Sequence, residues 1–164
     1  MKFKGIIILF VSIILFFFIG LLQDIEYRTL TRTLISKIAN YDLEYYGGKE
    51  FRLFVPDLGF ILTLIPIGLY IISRSQKQKR NNFLSILIFS ALLVLFYFFY
   101  CFIESQIIKY TASADIKNTY YYHHQNVNYR LIALFSIISS QILDYFILKK
   151  VSPPNQSSTN KINL

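Results

Sequence analysis

Four stretches of this chain, 5–22, 53–73, 83–103 and 131–148, consist almost wholly of Ile, Leu, Phe and other apolar residues. The only Asp, Glu, Lys or Arg within them are Asp57 and Asp144. An α-helix needs about 20 such residues to cross roughly 30 Å of hydrocarbon at about 1.5 Å per residue. A soluble core would instead spread its apolar positions with a helical or strand period. Charged residues make up 16% of the chain, against about 25% in soluble domains. The expected fold class is an all-α integral membrane protein of four transmembrane helices, with an outward amphipathic helix in the first loop. Residues 1–150 form the membrane domain, with outward loops 23–52 and 104–130, and residues 151–164 form a disordered tail. The basic start MKFK precedes an apolar run too long for a signal peptide, with no A-x-A cleavage site after it and no lipobox cysteine. The run is therefore expected to remain as an anchor.

Basic residues between spans set orientation. Lys2, Lys4, Arg74, Lys77, Lys79, Arg80, Lys149, Lys150 and Lys161 fall on one side with no acidic residue, while the two long loops mix both signs. Both termini and the loop after the second span are thus expected in the cytoplasm of a bacterial inner membrane, with that loop pairing spans two and three as a hairpin. The same distribution argues against direct nucleic-acid binding despite a net charge of +8, because each juxtamembrane cation gains about 1 kcal/mol from anionic headgroups. Arg74, Lys77, Lys79 and Arg80 have a second reading, as a dock for a cytoplasmic protein with an acidic surface.

In the first outward loop Tyr27, Leu30, Leu34 and Ile38 recur at helical spacing, with Arg28, Arg32 and Lys37 on other faces. This pattern predicts an amphipathic helix that either continues the first span or lies along the membrane surface. Gly47 and Gly48 then turn the chain back toward Pro56. The second outward loop carries Tyr110, Tyr120, Tyr121, Tyr122 and Tyr129, which suit an interfacial belt. It also holds His123 and His124, which are read as a surface pair rather than metal ligands.

The stretch FSIISSQILDYF sets polar groups among Ile, Leu and Phe. At about 100° per residue, Ser140, Gln141 and Asp144 share a sector with Ala133 and Ile137. Ser136 sits at its edge and Ser139 points elsewhere. A matching stripe of Ser90, Val94, Tyr97, Cys101 and Glu104, flanked by Tyr100, runs along the third span. Gly59, Thr63, Pro66 and Tyr70 share a face of the second, which Pro66 should kink. Asp57 follows Pro56 in a first turn, where the helix dipole favours a carboxylate. The first span, without an ionisable group, is expected to face lipid outside an interior built by the other three. An aspartate at mid-membrane costs on the order of 3 kcal/mol, so Asp144 should face protein or water. One answer is helix packing, aided by the small-xxx-small spacing of Ser136 and Ser140, at about 0.6 kcal/mol per polar contact. The other is a hydrated path with Asp144 at its inner end and Glu104 at its outer end.

A lone cysteine, Cys101, rules out an intramolecular disulfide and paired-thiol chemistry. No motif names a catalytic residue, a cofactor or a metal set. The function read from these features is a non-enzymatic component that assembles as a homo-oligomer, senses or scaffolds at the membrane, and couples to a cytoplasmic partner. An oligomeric channel or pore-forming effector lined by Glu104, Asp144, Ser140 and Gln141 is the alternative. A membrane enzyme using His123, His124 or Asp115 on lipid or peptide is a third. In general layout the chain resembles the small four-span proteins encoded beside cytoplasmic effectors in bacterial anti-phage operons, which implies a role in defence and no site residues.

The orientation is testable on a Cys101→Ser background. In intact cells a membrane-impermeant maleimide should label Asn118→Cys and leave Lys79→Cys unlabelled until the membrane is opened; the reverse pattern would invert the topology.

Overall fold

The structure, a computed structural model, describes residues 2–39, 57–75, 82–112 and 127–151. These residues are all-helical, with four helices long and apolar enough to cross a membrane. In chain order they are α1 (Lys2–Ala39), α2 (Asp57–Leu62), α3 (Leu64–Ser75), α4 (Asn82–Ala112) and α5 (Tyr129–Val151). The turn at Gly47 and Gly48, Pro56, Tyr120 to Tyr122 and the tail beyond Val151 lie outside the described residues.

No proline interrupts α1, so the amphipathic stretch does not form a separate helix. It continues the first apolar run as one rod of 38 residues, about 57 Å long at 1.5 Å per residue. Of the expected stripe, Tyr27, Leu34 and Ile38 pack half-buried on the core. Thr31, Ile35 and Ala39 are buried, while Leu30 is 62% exposed. Thr31 meets the Tyr97 hydroxyl of α4 at 2.9 Å, which gives a polar residue a place on this otherwise apolar face.

The second apolar run is broken as expected, and the break falls at Thr63, between α2 and α3. Pro66 has no N–H to give the Leu62 carbonyl, and its ring crowds that carbonyl, so the helix opens three residues before the proline. Thr63 N–H still reaches the Gly59 carbonyl at 3.3 Å, and its hydroxyl donates to the Phe60 carbonyl at 2.6 Å. Both bonds keep the opened turn hydrogen-bonded.

The helices form a four-cornered bundle. α1 packs on α2–α3 and α4, and α5 packs on α4 and α2–α3. α1 thus takes a corner of the bundle, while its apolar stretch from Ile6 to Leu22 stays mostly exposed, as expected of a lipid-facing span. α3 and α4, joined by the short loop expected to make a hairpin, lie across a diagonal instead. The Gly59 and Tyr70 face of the second run also meets α1, not the α5 stripe. Two apolar cores result. One gathers Ile65, Phe89 and Ile137 in the middle of the bundle. The other joins Ile35, Cys101, Ile108 and Ile132 toward the end where α1 and α4 run on. The outer surface is apolar, with Ile6, Phe10, Leu22, Phe98, Phe102 and Phe146 all exposed.

Gly20 and Gly59 let α1 and α2 touch backbone to backbone. A Cβ on Gly20 would lie 2.7 Å from the Gly59 Cα and from the Leu58 carbonyl oxygen. Gly5, by contrast, has only a Tyr70 ring carbon at 3.9 Å from its ideal Cβ. Gly20→Val should cost about 1–3 kcal/mol, as overpacking does, while Gly5→Ala should leave stability nearly unchanged. Unfolding of the purified protein in detergent would compare them, and equal stability of the two variants would contradict the crossing.

Candidate functional site

Two polar constellations stand out, one inside the bundle and one at the end away from Arg74 and Lys149. Inside, Ser136, Ser140 and Asp144 of α5 are buried within a single chain. The two serines do not bond across helices. Ser136 Oγ donates to the Ile132 carbonyl at 2.6 Å, and Ser140 Oγ to the Ser136 carbonyl at 2.5 Å. Their hydroxyls are satisfied one turn back on their own helix, and their contribution to packing is small size.

The bonds between helices come from their neighbours. Tyr100 and Ser139 share a hydrogen bond of 2.8 Å, so the serine that points away from the stripe is the one that joins α4 to α5. Gln141 Nε2 donates to the Leu64 carbonyl at 2.7 Å, tying α5 to α3. Gly68 makes room for that carboxamide, since a Cβ there would collide with it.

The α4 stripe divides. Ser90, whose hydroxyl bonds the Ile86 carbonyl, and Val94 are exposed. Tyr97 is half-buried, while Cys101, Glu104 and the adjacent Ser105 are buried. Phe89 and Leu93, beside Ser90 and Val94, pack on Ile137 of α5 and Phe16 of α1, so in this half of α4 it is the neighbouring apolar face that turns inward. From Asn128, beside Glu104, to Asp144 is about 24 Å along α5. Ile132, Ala133 and Ile137 are buried between them.

At the distal end the polar groups are paired. Asp57, the first residue of α2, receives Arg130 Nη2 of α5 at 2.6 Å and Arg28 Nη2 of α1 at 3.6 Å. Arg28 Nε also bonds Asp24 Oδ2 at 2.8 Å, and its guanidinium lies 5.7 Å from the centre of the Tyr129 ring. Two arginines and two aspartates thus balance while joining three helices. Around them Tyr27 OH donates to the Tyr129 carbonyl at 2.9 Å, and Thr31 and Tyr97 share a bond of 2.9 Å. Glu104 Oε1 accepts the Asn128 N–H at 3.0 Å and its side-chain amide at 3.3 Å. Asn128 is the residue from which α5 starts, since its carbonyl takes the first helical bond from Ile132 N–H at 3.0 Å. Glu104 therefore fixes the entry of α5 against α4.

The cleft among Asp24, Arg28, Asp57 and Tyr129 measures about 10 Å³, about the lower limit for one water molecule. The side chains that line the cleft therefore nearly close it. Asp57 was legible as a helix-start carboxylate, but its arginine partners were not, because they come from α1 and α5. Thr31 was missed although Tyr27, Thr31 and Ile35 recur four residues apart, a signal that could have placed it on the buried face. Of the basic group, Arg74 is exposed beside Tyr70. Lys77, Lys79 and Arg80, and likewise Asp115, His123 and His124, lie outside the described residues.

Burial separates the two kinds of pair. Glu104 is 6% exposed and its carboxylate accepts two bonds from Asn128, so Glu104→Ala removes a charge-assisted pair of bonds and should cost about 1.5–3 kcal/mol. Glu104→Gln, which keeps an acceptor oxygen, should recover much of that. The Arg130 side chain is 66% exposed, so Arg130→Ala should cost no more than about 1 kcal/mol. Unfolding midpoints in one detergent would rank the three, and a larger loss in Arg130→Ala would reverse the assignment.

No protein-family model matches the chain, and neither a curated protein nor a solved structure matches it.

Proposed function

We propose that this chain is a non-enzymatic, self-assembling component of a bacterial inner membrane, with both termini cytoplasmic, that senses or scaffolds there and couples to a cytoplasmic protein. The observation that carries the reading is the length and bracing of α1 and α4. Their 38 and 31 residues correspond to about 57 and 46 Å, against roughly 30 Å of hydrocarbon. Their distal halves share a core around Ile35, Cys101 and Ile108 and are bonded through Thr31 and Tyr97. A contact made beyond the membrane at that end would move a continuous rod whose other end lies among the cytoplasmic cations. The charged joint of Arg28, Asp57 and Arg130 would carry the displacement to α2 and α5. Arg74, Lys77, Lys79 and Arg80 are the residues offered to the cytoplasmic partner.

Since Ser136, Ser140 and Asp144 are enclosed by their own chain, self-assembly would use the exposed apolar faces. Native mass spectrometry of the protein released from nanodiscs should show one discrete oligomer, and Asp144→Asn should keep it. A monomer under every lipid condition would sink the self-assembly. The channel reading draws on the buried Asp144 and Glu104 carboxylates, with Ser140 and Gln141 beside Asp144. It would replace the present one if wild type conducts ions in planar bilayers and Asp144→Asn changes that conductance.

A further inference from the structure

We propose that the lateral groove between α1 and α3 binds one anionic glycerophospholipid, its acyl chain in the groove and its phosphate at the basic mouth. The inference rests on the chain lying in a bilayer. The groove has a volume of about 270 Å³, close to the lower end of the roughly 300–1,000 Å³ common for ligand clefts. Its walls include Gly5, Ser12 and Phe16 of α1 and Pro66, Tyr70 and Ser73 of α3. From Gly5 to Phe16 an α-helix rises about 16 Å, half of a hydrocarbon core of roughly 30 Å. The groove therefore runs through the depth of one leaflet and ends near the bilayer midplane, as a single acyl chain does.

A helix from a second copy, about 10 Å across, is too thick for this volume. Water would find few partners along walls that are mostly apolar, and an empty groove would forfeit van der Waals contact on both sides. An acyl chain meets both conditions. The mouth selects the headgroup. Arg74 Nη1 donates to Tyr70 OH at 3.4 Å, which holds the guanidinium beside the opening. Lys4 is exposed next to Gly5, whose missing side chain keeps the entrance wide. The nine basic residues assigned to this side have no acidic neighbour there, so a phosphodiester meets uncompensated positive charge. A zwitterionic lipid would bring its own cation into that field.

The full chain can be placed in nanodiscs of equal phosphatidylglycerol and phosphatidylcholine, released gently, and its retained lipid counted by native mass spectrometry. Wild type is expected to keep one phosphatidylglycerol per chain. Ser12→Phe, which fills the groove, should lose it while incorporating normally. Lys4→Gln/Arg74→Gln should keep a lipid but lose roughly thirtyfold of the preference for phosphatidylglycerol, from about 1 kcal/mol per cation. Equal retention of the two lipids by wild type, or unchanged retention in Ser12→Phe, overturns the site and leaves the membrane reading intact. A lipid-free dimer would assign the groove to a second copy and overturn it as well. Failure to incorporate into nanodiscs would overturn the site together with the membrane reading.

Discussion

A polar group surrounded by apolar side chains must find its hydrogen bond within the protein, because leaving it unmade costs about 1–3 kcal/mol. Much of this bundle's arrangement follows from that demand. Pro66 takes a donor away from the second apolar run, and the helix answers by opening at Thr63, whose hydroxyl turns back to the Phe60 carbonyl. One residue later, Gln141 arrives from α5 to bond the Leu64 carbonyl. Gly68 is the space that lets it in. A strained helix, a carboxamide and a glycine are thereby parts of one contact, and that contact sets the height at which α5 crosses α3. At the other end of α5, Glu104 holds Asn128, so the helix is pinned by polar bonds near its start and at its middle.

Helix length divides the rest. α5, with 23 residues, is about 34 Å long, close to one hydrocarbon thickness. α1 and α4 exceed that length, and a second core joins their distal halves to the start of α5 at Tyr129 and Ile132. Ile35, Cys101 and Ile108 supply it. The polar bonds of this region fall where α2 and α5 begin. Asp57 and Asn128 are the starting residues of those helices, and each is gripped by side chains from α1, α4 or α5. The joint is thus built from helix starts, where orphan backbone donors and the positive end of the dipole already favour carboxylates.

The four long apolar helices were legible because each run of side chains carries its own signal. So was the break in the second run, since Pro66 acts on its own backbone. The partners of polar residues were not legible in the same way. Helical spacing placed Ser136, Ser140 and Asp144 on one side of α5, and all three are buried. It could not show that the serine hydroxyls would be spent on their own helix, nor that Ser139 would be the one to meet Tyr100. Periodicity reports which residues share a face; it does not report what stands opposite. The α4 stripe makes the same point, since Ser90 and Glu104 share a sector yet Ser90 is exposed and Glu104 is buried against Asn128. Leu30 is exposed while Thr31 is buried and bonded to Tyr97, an exchange that hydrophobicity alone would not place.

The enclosure of the α5 stripe also limits how copies of this chain could assemble. A buried carboxylate or serine cannot serve as an interface without opening its own bundle, and Ser136, Ser140 and Asp144 are each closed off by α5 and its neighbours. What remains outward is apolar surface on every helix, from Ile6 and Phe10 of α1 and Phe98 and Phe102 of α4 to Ile142 and Phe146 of α5. In a bilayer such a face gains little from hydrophobicity, because lipid tails are as apolar as the side chains. Its associations depend on close van der Waals fit. The close backbone approach that Gly20 allows on α1 is already taken up within the chain by Gly59. Contacts between copies would therefore be made by large side chains on gently curved surfaces, so lipids and neighbouring chains would compete for the same ground on nearly equal terms. On the proposed reading, lipid composition becomes a determinant of assembly, and the lipid held at the basic end would be part of the surface that a second copy meets.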